Sequence, residues 1–426
     1  MSASTLLARA TACVVVAAAL ASAAAAATPA AGRLVRPGTP LQPLIDAAAP
    51  GDTIRLAPGR HAGPVVIGTT LALVGQPGAV LAGPGRGSVV TVEAPDVRIQ
   101  GLEIRGSGTD LPAMDSAVFV RQSAPRADIR GNRLVDNLFG VYLHGAKDSI
   151  VQGNVIAGRR DLRIAEAGNG VSLWNAPGAR VVGNTIRHGR DGIFVKVSER
   201  NTFADNTFSD LRFAIHYMYA NDSRIIGNHS RGNHVGWAIM YSDRLEIRDN
   251  VSEHDRDHGL MLNATNDSRV VGNTVRGGGT KCVFVYNANA NTIAGNWFEG
   301  CPIGIHFTAG SEGNAMSGNA FVANRVQVKY VGTRYLDWGA GGRGNYWSDN
   351  PAYDLDGDGV ADRPYRPNDV MDEILWKLPQ AKLLAGSPAV QMVRWAQAHF
   401  PALYPGGVVD TAPLMRPPTV SAGPSP

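Results

Sequence analysis

Long apolar runs are missing from this chain once its first residues are passed. Beyond residue 27 no segment approaches the length of continuous apolar sequence that a membrane-spanning helix needs. Cysteine is scarce as well: of three in 426 residues, Cys13 falls in the apolar leader, leaving Cys282 and Cys301 for the folded protein. There is no Cys-x-x-Cys pair, and no His-x-x-x-His falls on a predicted helix, which argues against a tight structural metal site. Charge of one sign is also lacking, with 40 Lys and Arg against 36 Asp and Glu, so nucleic acid is not indicated as a partner. Leucine is too sparse in the middle of the chain for a leucine-rich repeat.

What the chain does have is a period. Asn132, Asn154, Asn184, Asn206, Asn228, Asn250, Asn273, Asn296 and Asn319 follow one another at steps of 22, 30, 22, 22, 22, 23, 23 and 23 residues. Gly or Asp precedes each of them, the residues that tolerate the left-handed backbone of a sharp corner. The flanking runs are rich in Val and Ile and too short for helices. These features predict an all-β fold: a right-handed, single-stranded parallel β-helix, a solenoid of about 22-residue coils with three short strands per coil. The Asn amides would stack as a ladder along one corner. An antiparallel sandwich does not hold so tight a period.

In chain order, residues 1–27 read as a secretory signal peptide, with Arg9 before an apolar run that ends in Ala-x-Ala ahead of Thr28. The mature chain is then exported. Residues 28–64 form an N-terminal cap, with an amphipathic helix over 41–49 covering the open end. The β-helix runs over 65–335, an Asp-rich loop region over 336–370, a C-terminal helical cap over 371–416 and a disordered tail over 417–426. Ser387 and Pro388 suit the N-cap and first position of a helix whose Val390, Val393, Trp395 and Phe400 would lie across the far end of the solenoid. Cys301 matches Gly279 in the repeat frame, about one coil and three residues from Cys282; a disulfide and two separate buried residues both fit.

The most regular strand begins at a small residue and then alternates, with its first and third positions apolar and so inward. The second positions, expected to face out, read Phe119, Tyr142, Ser172, Phe194, His216, Met240, Met261, Phe284 and His306. Two residues on, a parallel column reads Arg121, His144, Trp174, Lys196, Met218, Ser242, Asn263, Tyr286 and Thr308. At nine Met in 426 residues, these eighteen positions would hold about 0.4 Met by chance, and they hold three. Thioether and imidazole suit Cu(I), so His216, Met218, Met240 and Met261 are candidate ligands for a transient ion. His306, in the same column, and His234, His254 and His258 beside it extend that set, while His188, Asp191 and Asp257 lie in the same approach loops. The competing expectation is a docking surface built on Phe119, Tyr142, His144, Trp174, Phe194, Phe284 and Tyr286. About eight extra residues, within RRDLRIAEAGN, account for the step of 30 and border this stripe.

An enzyme acting on polysaccharide, a lyase, hydrolase or uronate epimerase, is the rival class. Such chemistry needs carboxylates converging on one sugar, and the nearest candidate is EHDRDH at 253–258. The two outward columns carry no Asp or Glu, so no catalytic residue is assigned and a non-enzymatic role is expected. Asp354, Asp356 and Asp358 with Gly359 match the start of a calcium loop, with Asp362 as a late ligand; the twelfth position is Tyr365, so an EF-hand is not supported. A structural Ca²⁺ and an acidic turn are the two readings.

The exported start, PGDTIRLAPGRHAG, the Gly-Asn coils, GNYWSDNPAYDLDGDGVADRPYRP and the closing SPAVQMVRWAQAHFPALYPGGVVDTAPLMRP together resemble the NosD family. The resemblance spans nearly the whole mature chain, and its specific part is the C-terminal third. It implies a periplasmic β-helix protein that works with an ABC transporter, whose membrane subunit and ATPase are separate proteins. It further implies a role in assembling the copper-sulfide centre of nitrous oxide reductase, by handling sulfur or by passing on copper from a membrane-anchored chaperone. It supplies no catalytic motif to transfer.

Overall fold

The computed structural model describes residues 32–419 apart from 333, 385 and 401–405; the expected signal peptide and the end of the expected tail lie outside the described residues. Each coil contributes one strand to each of three sheets. In the coil of Asn184 these are Arg180–Val182 in sheet I, Thr185–Arg187 in sheet II and Asp191–Lys196 in sheet III. Sheets I and II stack thirteen strands each and sheet III twelve, always pairing neighbouring coils in parallel. The parallel β-helix expected from the period is therefore the fold. Inward residues such as Val181, Ile186, Ile193 and Val195 are at most 1% exposed and fill one layer of core per coil.

The Asn column runs along the corner between sheets I and II. Asn206 shows why only this residue serves there. Its Oδ1 accepts from Asn184 N and Nδ2 at 2.9 and 3.0 Å, while its Nδ2 donates to Val181 O and Asn228 Oδ1 at 2.9 and 3.0 Å. One buried amide thus satisfies backbone groups that the corner takes out of sheet pairing. The residue before each Asn is left-handed, as at Gly183 (φ 64°), Asp205 (φ 55°) and Asp249 (φ 56°). The ladder extends one rung further than the period suggests, to Asn345, whose N and Nδ2 donate to Asp410 Oδ2 at 2.7 and 3.2 Å.

The strands begin earlier than the predicted boundary at residue 65. Arg33–Val35 already pairs with Thr53–Leu56, and Gly59–Ala62 opens sheet II. The capping helix is Gln42–Asp46, shorter than 41–49. It buries Ile45, and its Gln42 amide mimics a missing strand: Oε1 accepts from Val66 N at 2.8 Å and Nε2 donates to Val66 O at 3.0 Å. The exposed edge of sheet III is blocked at that point. Cys282 and Cys301 form a disulfide with Cα atoms 5.6 Å apart, which decides between the two open readings.

The far end differs from expectation. Helix Pro388–His399 forms with Ser387 Oγ accepting from Val390 N, yet of its proposed inner face only Val390 is buried, while Trp395 and Phe400 are 60% and 57% exposed. The core is already closed by Trp338 and Trp347, 5% and 2% exposed, with Trp347 stacked 4.4 Å from Phe321. The helix therefore has no apolar end left to cover.

Candidate functional site

Sheet III holds the stripe, and its register corrects the predicted columns in one coil. Met218 pairs with Met240 and His216 with Ala238; the next coil pairs Ala238 with Met261 and Met240 with Asn263. Met240 therefore belongs beside Met218 rather than between His216 and Met261, and Ser242 is buried instead of outward. The coil has two small residues, Gly236 and Ala238, and in the strand Val235–Asp243 it is Gly236, between Val235 and Trp237, that stands in register with Ala214. The corrected arrangement sets Met218 directly beside Met240 and separates His216 from Met261 by the coil of Ala238. Ala238 becomes a small floor with His216 and Met261 in the flanking coils, Met240 two residues along the same strand and Met218 diagonally opposite. With strands roughly 4.8 Å apart, all four side chains border one spot.

His216 is only 8% exposed, and its orientation is fixed from behind. Its Nδ1 lies 3.0 Å from Asp191 Oδ2, and Arg212 grips the same carboxylate with Nε and Nη2 at 2.8 and 2.7 Å. Burial pushes the Asp191 carboxyl up, but hydrogen bonds from His216 and Arg212 outweigh it and keep it below its ordinary value. An ionised partner at Nδ1 favours the tautomer that leaves Nε2 with a lone pair, the arrangement seen behind metal-bound histidines. Phe194 and Phe213 flank the ring at 5.0 Å each. In six successive coils the residue after the second column is left-handed: Asn175, Val197, Tyr219, Tyr241, Ala264 and Asn287. Branched Val197 and the stacked pair Tyr219 and Tyr241 hold this conformation at a steric cost beside the Met residues.

The remaining histidines divide. His234 is exposed, stacks on Phe213 and approaches Asp257 at 3.9 Å. His254 sits on the turn after Val251–Glu253 and packs on Gly277, where a Cβ would come within 2.6 Å of its Nδ1. His258 Nδ1 faces Asp257 at 3.1 Å and Thr280 Oγ1 at 2.9 Å, and its Nε2 faces Lys281 Nζ at 3.4 Å. His306 lies two coils beyond Met261, next to Lys329. The aromatic half of the stripe is continuous: Phe119 and Tyr142 are 5.7 Å apart, and His144 stacks on Trp174 at 4.5 Å. Phe119 is largely covered, while Trp174 and Tyr286 are the open members at 39% and 45% exposure. Ser172 is buried and accepts from Asn169 Nδ2, in the coil that carries the insertion.

The EHDRDH segment does not converge on one point. Asp255 turns into the core, where it accepts from Ser230 Oγ, Ser252 Oγ and Asn233 N at 2.7, 2.6 and 2.8 Å. Burial pushes its carboxyl up to about 6. Glu253 instead meets His229 at 3.3 Å. Asp354, Asp356 and Asp358 bring carboxylate oxygens within 4.8 Å of one another, the one such acidic or histidine group among the described residues. Asp354 already accepts from the Gly357 and Gly359 amides, and Asp362 Oδ2 from Leu355 N. Asp191, Arg212, Lys281 and Lys329 carry the site's charge without being singled out by the column pattern; position just ahead of the small residue is the signal for Asp191 and Lys281.

Likeness to solved structures establishes the fold alone. A Dettilon tailspike protein matches with TM-score 0.54 at 17% identity, over 70% of this chain and 68% of that one. A PL6-family polysaccharide lyase from Pseudopedobacter saltans matches with TM-score 0.54 at 14% identity, over 75% and 92%. Sequence relatives are far nearer. Residues 152–352 match the family model described as periplasmic copper-binding protein (NosD). A protein of Stutzerimonas stutzeri named probable ABC transporter binding protein NosD is 40% identical over 86% of this chain and 87% of its own length. One of the same name from Pseudomonas aeruginosa is 38% identical over 87% and 89%. With identity of this level sustained over nearly the whole chain, the protein belongs to the NosD family.

Proposed function

We propose that this protein is an exported, periplasmic accessory factor for assembly of the copper-sulfide centre of nitrous oxide reductase. It acts by binding and docking rather than by catalysis. Its relatives are named as binding proteins, and its polysaccharide-acting neighbours share only the fold. One observation carries the copper part of this reading: the register that surrounds Ala238 with His216, Met218, Met240 and Met261, with His216 held from behind by Asp191. Thioethers and imidazole are donors matched to Cu(I), and a half-open site on a sheet face suits cargo received from a copper chaperone and released to the reductase.

Two surfaces support docking. The aromatic half of the stripe, ending in Trp174, offers amphipathic rings to a soluble partner. The C-terminal extension exposes Leu378, Leu383, Leu384, Met392, Trp395 and Phe400, and the occupant we assign to it is the membrane subunit of an ABC transporter, which couples in turn to its ATPase. No helix among the described residues is long and apolar enough to cross a membrane. The Asp354, Asp356 and Asp358 loop, with Asp362, is read as a structural Ca²⁺ site.

The test pairs a binding readout with a cellular one. Anaerobic titration should show Cu(I) bound by the purified protein and at least tenfold weaker binding by His216→Ala/Met218→Leu/Met240→Leu. Reductase isolated from cells carrying that variant should be deficient in its copper-sulfide centre. Unchanged titration would remove the copper site, and a fully assembled centre in a strain deleted for this gene would remove the maturation role.

A further inference from the structure

Beyond the methionines, the outer face of sheet III carries a second cluster of different chemistry. Lys281 opens its strand, Phe284 follows three residues later, and the next two coils place His306 and Lys329 in register with Phe284. Lys281 Nζ stands 4.7 Å from the Phe284 ring centre, and the His306 ring leans on Phe284 at 5.0 Å. All four side chains are partly withdrawn from solvent, and His306 Nδ1 is buried without a hydrogen-bond partner. Among the described residues neither Lys281 nor Lys329 forms an ion pair. Asp257, the acid bordering the group, is engaged with His258 and Thr280.

Among the described residues, neither ammonium meets a carboxylate, Lys281 touching only His258 Nε2 and the Phe284 face; on a half-buried surface that is costly, and a polyatomic anion bound by both would relieve the cost. We infer that Lys281, Lys329 and His306 form a binding site for a small tetrahedral dianion of the sulfate or phosphate type. The lysines supply two charges, His306 Nδ1–H supplies a hydrogen bond, and the Phe284 ring forms the floor. His306 Nδ1 is the buried ring nitrogen left without a partner, and an anion held by the lysines would give it one. Lys281 is held below its ordinary value, by burial first; the charge of Asp257 opposes this and that of Lys329 adds to it. The same cationic surroundings disfavour copper at His258 and His306, so the site is chemically separate from the methionine cluster and does not depend on the copper reading.

Isothermal titration of the purified protein with sodium sulfate and with inorganic phosphate tests this. One dianion per chain should bind, sulfate and phosphate should compete, and Lys281→Met/Lys329→Met should weaken binding at least tenfold with an unchanged melting temperature. In the wild type, added sulfate should slow backbone hydrogen exchange over residues 281–286 and 303–308, a readout that stands even if the variant folds poorly. Absence of binding, undiminished binding in the folded variant, protection confined to other segments, or equally tight binding of acetate would each overturn the assignment.

Discussion

The corner between sheets I and II and the outer face of sheet III are built from the same coils, yet they differ completely in what they tolerate. Along the corner, Asn occupies ten successive rungs from Asn132 to Asn345. Across the face, no two neighbouring coils carry the same outward pair. At the corner each side chain must supply donors and acceptors to backbone groups sealed from water, and few residues can do so. On the face, a side chain need only lie against water and its neighbours. A departure from background composition there, such as three methionines about one alanine, is free of folding constraint and points to a task.

Breaking the corner should have the largest effect. Asn228→Ala removes the acceptor of Asn206 N and Nδ2 and the donor to Phe203 O and Asn250 Oδ1. At about 1–3 kcal/mol for each buried group left unsatisfied, a loss of roughly 3 kcal/mol or more in denaturant unfolding is expected; a loss no larger than that of an exposed substitution would show that the ladder is not stabilising.

The second effect sits where a buried acid replaces an amide. Asp255 has its carboxyl raised to about 6 in the fold, against 3.8 as its ordinary value. A raised carboxyl contributes stability that is full below the unfolded value and lost as pH rises through the folded one. Unfolding free energy should therefore fall between about pH 4 and 6, by up to ~3 kcal/mol from this group. Subtracting the pH profile of Asp255→Asn from that of the wild type isolates the effect, and parallel profiles would refute it.

The smallest effect is expected on the open surface. Arg244 and Asp222 pair at 2.6 Å across neighbouring coils with both side chains largely exposed. Arg244→Ala should leave the melting temperature unchanged within error at physiological salt. A clear drop would mean that surface charge, as well as the ladder, holds coil to coil.

The ladder was legible because its chemistry repeats at a fixed spacing, and so were the parallel sheets, the N-cap at Ser387 and the resemblance carried by the C-terminal third. The one register error is instructive. Asn206 follows Gly192 by fourteen residues and Asn228 follows Ala214 by fourteen, and the same count back from Asn250 lands on Gly236, not Ala238. The corner therefore held the information that local alternation obscured. Asp191 stood among the approach-loop residues, but its role, and Arg212 altogether, were harder to find, because their meaning lies in contacts between coils, 21 and 25 residues apart in Arg212 to Asp191 and His216 to Asp191. Exposure of Trp395 and Phe400 could not follow from periodicity, since it depends on Trp338 and Trp347 having already filled the end of the core.

The last rung gives the Asn corner a direction. Every amide donates toward the following coil, so the column is a line of aligned dipoles whose positive end emerges at Asn345. A further coil would continue it with another amide, but this chain brings in Asp410 from 65 residues away, buried and also accepting from Trp347 Nε1 at 2.8 Å. A carboxylate accepts and cannot pass a hydrogen bond on. Asp410 thus acts as a chain terminator acts in a polymerisation: it converts a growing end, open to another coil of this chain or of a second copy, into a finished one.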